Sequence, residues 1–108
     1  MDAYLLIESG GPLAGASGDR FVGDAHRLAR QGGDIALLLT QDGVLGALPD
    51  AFPRLDGYLR DGGALWVDAF SLHRRGVAPV DLVPKARLVD ADEVAERLLR
   101  PGLRAVWH

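Results

Sequence analysis

The chain has 108 residues, 48% hydrophobic and 25% charged, with 12 Lys and Arg against 15 Asp and Glu for a formal charge of −3. This is ordinary globular usage and excludes a disordered, collagenous or coiled-coil chain; at this length folding buries roughly 60–70% of the unfolded surface, enough for one domain over residues 1–108 without staples. An acidic balance with no basic stripe excludes a dedicated nucleic-acid module, and the absence of cysteine excludes disulfides, thiolate metal ligands and thiol nucleophiles.

In chain order, Met1-Asp2-Ala3-Tyr4 carries no basic region, and the apolar run from Leu5 to Ile7 is too short for a signal segment or a membrane span. The expectation is a cytoplasmic protein with no membrane partner. Ala3 to Ile7 reads as a buried strand that stops at Glu8-Ser9-Gly10-Gly11-Pro12. Asp19 then caps a predicted helix with Phe21, Val22, Ala25, Leu28 and Ala29 on its apolar face, ended by Gly32-Gly33. Asp34 to Thr40 is continuous and apolar, as in a strand covered on both faces of a parallel sheet, and Gln41-Asp42-Gly43-Val44 turns the chain away. Pro49 and Pro53 break the stretch from Leu45 to Gly63 into a short helical turn and a second piece around Leu55, Tyr58 and Leu59.

Ala64 to Val67 is the next strand, and Asp68 leads into a short helix closed by Gly76. Pro79 and Pro84 bracket a loop before a brief strand, Ala86 to Val89. Asp90 and Glu93 form a capping box for a helix through Val94, Ala95, Leu98 and Leu99, with Arg97 and Arg100 in its last turn and Pro101-Gly102 as its stop. Leu103 to Trp107 is the last strand. Strands alternating with helices predict right-handed βαβ units and a three-layer α/β/α fold around a mostly parallel five-stranded sheet.

Ligands of open α/β sheets bind beyond the carboxyl ends of the strands, which here means Glu8 to Ser17, Thr40 to Val44 and Asp68 to Arg75. Gly10 to Ser17 has the spacing of a phosphate loop but places Ala16 where the lysine belongs, so nucleotide hydrolysis is not supported; the amides of the following helix remain able to hold a small anion. Asp68, after an apolar strand and before a helix, suits either an N-cap onto Ser71 or a ligand-facing base. His73, Arg74 and Arg75 follow it, either as a solvated basic face or as an anion and proton-transfer cluster, but adjacent helical residues do not share a face. His26 and His108 have no partner at metal-ligand spacing, and no serine sits in a nucleophile elbow. No metal and no cofactor are expected. Trp66, Trp107, Tyr4 and Phe70 read as core or interface.

The opening strand, glycine loop and helix (Tyr4 to Gln31), the second strand with Gln41-Asp42-Gly43-Val44, and the segment Asp68-Ala69-Phe70-Ser71-Leu72-His73-Arg74-Arg75-Gly76-Val77 together resemble the DsrE/DsrF/TusD, or YchN-like, sulfur-relay family over nearly the whole chain. In that resemblance Asp68 stands where sulfur-transferring members carry the persulfide-bearing cysteine. A carboxylate keeps the charge and removes the thiol chemistry. The resemblance implies a homo- or hetero-oligomer, a trimer or hexamer. The reading that follows is a cysteine-less DsrE-like domain acting as an oligomeric scaffold or small-ligand-binding subunit, its crevice formed by Gly10, Gly11, Asp42, Asp68 and Ser71 with Arg74 available to an anionic ligand. The alternative is an enzyme using Asp68 as acid/base with His73 or Arg74 steadying a small anionic substrate.

Overall fold

The unbroken apolar runs form the inner strands of a sheet. The computed structural model describes residues 3–108, so the Met1-Asp2 part of the opening read above lies outside the described residues. Its elements are β1 (Ala3–Glu8), α1 (Ser17–Arg30), β2 (Asp34–Leu39), α2 (Leu55–Arg60), β3 (Ala64–Asp68), α3 (Ala69–Arg74), β4 (Ala86–Val89), α4 (Ala91–Leu98) and β5 (Leu103–Trp107), with 3₁₀ turns at Pro12–Ala14, Gln41–Ala47 and Pro79–Asp81. Among the described residues, no helix is long and apolar enough to cross a membrane.

The strand order is β4-β3-β2-β1-β5, and every pairing is parallel. Side chains alternate across the strands. Leu6, Ile35, Leu37, Leu39, Leu65 and Val67 therefore meet α1, α2 and α3 in the larger core, with Phe52 and Tyr58 filling it. Leu5, Ile7, Ala36, Leu38 and Val89 form a smaller core on the opposite face, packed by Trp66, Val94 and Leu103 under α4. This is the expected three-layer domain, with very unequal outer layers.

Two expected caps differ from the structure. Asp19 does not cap α1: the helix begins at Ser17 behind Ala16, which has no capping side chain, and Asp19 instead accepts a hydrogen bond from the Arg54 N–H at 3.0 Å. Asp90 does cap α4, accepting from the Glu93 N–H at 2.9 Å, but the box is not reciprocal because the Glu93 carboxylate pairs with Arg87. Arg97 lies in the last turn of α4, as expected, and is buried. Its guanidinium lies 5.6 Å from the centre of the Trp66 ring and donates to Asp34 at 3.0 Å, joining the end of α4 to the start of β2. Arg100 falls beyond the helix.

Tyr58 is fully buried and donates its hydroxyl to the Ala64 carbonyl at 2.5 Å, which ties α2 to the start of β3. Burial pushes this hydroxyl far above its ordinary range. Tyr58→Phe is expected to lower stability by about 1–3 kcal/mol, the cost of a lost buried partner, read as a lower urea midpoint at an unchanged slope.

His26 of α1 meets Asp61, just after α2, at 2.5 Å, and this bond holds the Asp61 carboxyl below its ordinary 3.8. A carboxyl lowered in the folded state adds stability above its unfolded value and loses it as the pH falls through the folded one. The wild type should accordingly lose stability more steeply than Asp61→Asn as the pH falls below about 4, measured by urea unfolding at descending pH.

Candidate functional site at the carboxyl end of the sheet

Residue alternation along β3 turns Leu65 and Val67 toward the α1 face and leaves Trp66 and Asp68 on the α4 face. Asp68 ends the strand in extended conformation and is the N-cap of α3: Oδ2 accepts from the Ser71 N–H at 3.0 Å and from the Ser71 hydroxyl at 2.5 Å. Because the serine proton is committed to Asp68, its Oγ is left as an acceptor. It receives the Gln41 N–H at 2.9 Å and lies 3.4 Å from the Thr40 hydroxyl. Gln41 has φ +51, the left-handed region that costs a non-glycine residue of order 1 kcal/mol, and the Ser71 bond is what holds its amide there. The ends of β2 and β3 and the first turn of α3 are thus fixed through one carboxylate oxygen. Oδ1 of Asp68 bonds to no described residue.

Two hollows open on this junction. A polar crevice of 370 Å³ is lined by Thr40, Gln41, Asp68, Phe70, Ser71, Arg74 and Arg75. An apolar groove of 260 Å³ runs beside it over Ile7, Leu38, Thr40 and Asp68, walled by Val94, Ala95 and Leu98 of α4 and by Trp107 of β5. Thr40 and Asp68 belong to both.

The residues singled out in the sequence divide clearly. Ser71 and Asp68 sit at the junction. Gly11 packs against the turn after β2, where an added Cβ would lie 2.8 Å from the Asp42 carbonyl oxygen, so it brings the glycine loop and this turn into contact. Gly10 donates its N–H to Glu8 at 2.8 Å and lines neither hollow. The Asp42 carboxylate is taken by Arg75, whose Nη2 and Nε lie 2.8 Å and 3.0 Å from Oδ1 while Nη1 donates to the Ser71 carbonyl. Arg74 lines the crevice beside Phe70, 5.8 Å from the ring centre, with no carboxylate paired to it among the described residues. His73 is exposed on the far side of α3 and makes no hydrogen bond to Asp68. It does not line the crevice, whereas the adjacent Arg74 and Arg75 both do, so two of the three basic residues reach it.

The segments Thr40 to Val44 and Asp68 to Arg75, named from the sequence, do supply the crevice lining, Thr40 and Gln41 included; what sequence reasoning missed is Arg75 as the cation that ties Asp42 to α3 and the pairing of buried Glu8 with His108 at 2.6 Å. For Glu8 a signal existed: it is the charged end of an otherwise apolar strand, in phase with Leu6. A left-handed glutamine has no sequence signature.

No family model matches this sequence, and no curated protein sequence matches it. Solved structures do. The ychN protein from E. coli superposes with a TM-score of 0.88 at 17% identity, over 100% of both chains. The fold is YchN-like. A protein of unknown function from Methanobacterium thermoautotrophicum, MTH1491, superposes with a TM-score of 0.79 at 13% identity, over 99% of this chain and 98% of its own. At these identities the YchN-like likeness concerns the path of the backbone, which agrees with the parallel five-stranded α/β architecture read from the sequence.

The two oxygens of Asp68 are separable by mutation. Asp68→Ala removes the cap and the anchor of Ser71 and should lower stability by about 0.5–2 kcal/mol. Asp68→Asn retains an accepting oxygen and should cost only a fraction of that. Thermal unfolding of the two variants side by side reads the difference, and equal losses would remove the capping role.

Proposed function

We propose that this chain is a cysteine-less YchN-like domain that acts as a subunit of an oligomer, with a small-ligand crevice at Asp68, and that it is not a thiol sulfurtransferase. The last part follows from composition: with no cysteine the chain has no sulfur atom able to carry a persulfide at any position, and Asp68 offers only oxygen.

The observation that carries the subunit reading is the incomplete cover of the α4 face. Five strands at about 4.8 Å spacing span roughly 20 Å, and one helix is only about 10 Å wide. The eight residues of α4 therefore leave a large part of that face open. Part of what is left exposed there is apolar: at the carboxyl end of the sheet Trp107 is 68% exposed, with Leu98 beside the groove and Phe70 at the neighbouring crevice, whereas Arg87, Glu93, Glu96 and Arg100 line a polar hollow elsewhere on that face. An exposed apolar patch rimmed by polar residues marks an interaction site more often than a solvated wall. A partner seated on it also completes the groove and roofs the crevice at Asp68.

Within the crevice, Asp68 Oδ1 accepts a donor and Arg74 receives an acceptor or an anionic group, which favours a small polar molecule carrying both. The acid/base alternative loses His73, which lies outside the crevice, and rests on Asp68 Oδ1 with Arg74 alone.

The mass of the native protein at micromolar concentration is expected to be a multiple of that of one chain. Leu98→Asp and Trp107→Asp should each weaken association by about 2 kcal/mol or more, roughly 30-fold, and shift the mass toward one chain in analytical ultracentrifugation. A wild-type protein that sediments as a single chain at these concentrations would falsify the subunit reading.

A further inference from the structure

Alternation along β1 puts Tyr4, Leu6 and Glu8 on the α1 face, and alternation past Trp107 puts His108 on the same face. The strand order then sets β5 beside β1, at the point where the order of the chain through the sheet reverses. A carboxylate and an imidazole 100 positions apart are thereby made neighbours. Glu8 is 1% exposed; its Oε2 accepts the Gly10 N–H at 2.8 Å and its Oε1 lies 2.6 Å from Nδ1 of His108. The imidazole is held on further sides. Its ring stacks on Phe21 at 4.9 Å and 15°, its backbone N–H donates to the Ile7 carbonyl at 2.7 Å, and its carbonyl accepts from the Ser9 N–H at 3.1 Å and hydroxyl at 3.0 Å.

A buried carboxylate opposite Nδ1 fixes the proton of the neutral ring on that nitrogen and leaves the lone pair on Nε2. Nε2 bonds to no described residue, and the side chain is 41% exposed. His26 is oriented through the other nitrogen, Nε2, by Asp61, but its side chain is only 23% exposed and its Nδ1 edge lies against Gly57; His73 has no orienting partner among the described residues. His108 is the more open of the two oriented histidines.

We propose that Glu8 and His108 form a nucleophilic dyad whose Nε2 takes up an acyl group from an activated, uncharged acyl compound, a site separate from the crevice at Asp68. In this step the Nε2 lone pair bonds to the carbonyl carbon, the bond to the leaving oxygen breaks and its electron pair departs with that oxygen. The Nδ1 proton passes to Glu8 as the neutral acyl-imidazole forms. Water then attacks the carbonyl, the bond from carbon to Nε2 breaks as the Glu8 proton returns to Nδ1, the carboxylic acid leaves, and the second proton of the water is released to solvent, matching the oxyanion set free in the first step; nothing is oxidised or reduced. An acyl rather than a phosphoryl donor fits because the dyad is contacted by a phenyl ring, backbone groups and the Ser9 hydroxyl, with no cation bonded to it among the described residues to hold a phosphoryl group's charge.

The test is p-nitrophenyl acetate with the full chain, following p-nitrophenolate release and locating the acetyl group by mass spectrometry after rapid quenching. The acetyl group is expected on His108 ahead of His26 and His73, and His108→Gln should slow release by about 10²-fold, the low end for a positioned catalytic group. Glu8→Gln, which removes the proton acceptor and the fixed tautomer, should slow it comparably while His108 stays in place. If Glu8→Gln does not fold, the exposed His108→Gln carries the test. Acetylation of His108 no faster than of His73, or release unaffected by His108→Gln, overturns the dyad.

Discussion

Most of what this molecule presents to solvent follows from the direction in which its strands are laid down. From β1 to β4 the chain steps the same way across the sheet, and right-handed crossovers taken in one direction put every connecting helix on one face. α1, α2 and α3 therefore share a face and bury the larger core, while the return crossover from β4 to β5 supplies the one helix on the other among the described residues. That return has 13 residues between the strands, of which eight are helical, so the second face receives a helix too short to cover it. The apolar groove, the exposed Trp107 and the placing of β5 against β1 are consequences of that single reversal rather than separate features.

At the carboxyl ends of the strands the same frame sets Asp68 between a polar and an apolar hollow. Its two oxygens do different things. One receives both donors of Ser71, and through Ser71 Oγ it holds the amide of Gln41 in a conformation that residue does not favour; the other is left toward the hollows. A residue placed this way contributes to folding whether or not a ligand ever meets it. That is why loss of a bound molecule and loss of stability have to be read on separate variants. It also gives a physical account of an oxygen acid at this position, since both donors of Ser71 converge on one carboxylate oxygen at hydrogen-bonding distance.

The elements were legible wherever burial leaves a periodic signal. Unbroken apolar runs at Leu5 to Ile7 and Ile35 to Leu39 mark strands covered on both faces, and Asp68 and Asp90 mark helix starts because their carboxylates do cap. Failures occurred where a polar residue was claimed by something distant in sequence. Asp19 has the spacing of a cap, but the Arg54 backbone, 35 positions on, takes its oxygen. Arg97 is in the last turn of α4 as its position indicates, but its further contacts, the guanidinium over Trp66 and the bond to Asp34 63 positions away, have no local signal. The pairing of Glu8 with His108 depends on β5 returning to the side of β1, which no local pattern in either segment specifies.

The crevice at Asp68 lies at the end of β3 and the dyad at Glu8 at the end of β1, yet the turn after β2 touches both. The Thr40 N–H donates to the Glu8 carbonyl at 3.0 Å and the Gly43 N–H to the Ser9 carbonyl at 3.1 Å, while Gln41 between them is bound to Ser71. Gly43 can make this approach only because it lacks a side chain: a Cβ there would lie 2.2 Å from the Glu8 carbonyl oxygen. The backbone of residues 40 to 43 is thus pinned at one side to the end of β1 and at the other to α3. A shift of α3 large enough to reshape the crevice has to strain or break the bonds that position Glu8, so the two sites share one rigid support although they share no side chain. Rigidity of this kind suits a chain that presents preformed surfaces, and it places whatever adaptability the molecule has in α4 and the rim around Trp107, where packing is thinnest.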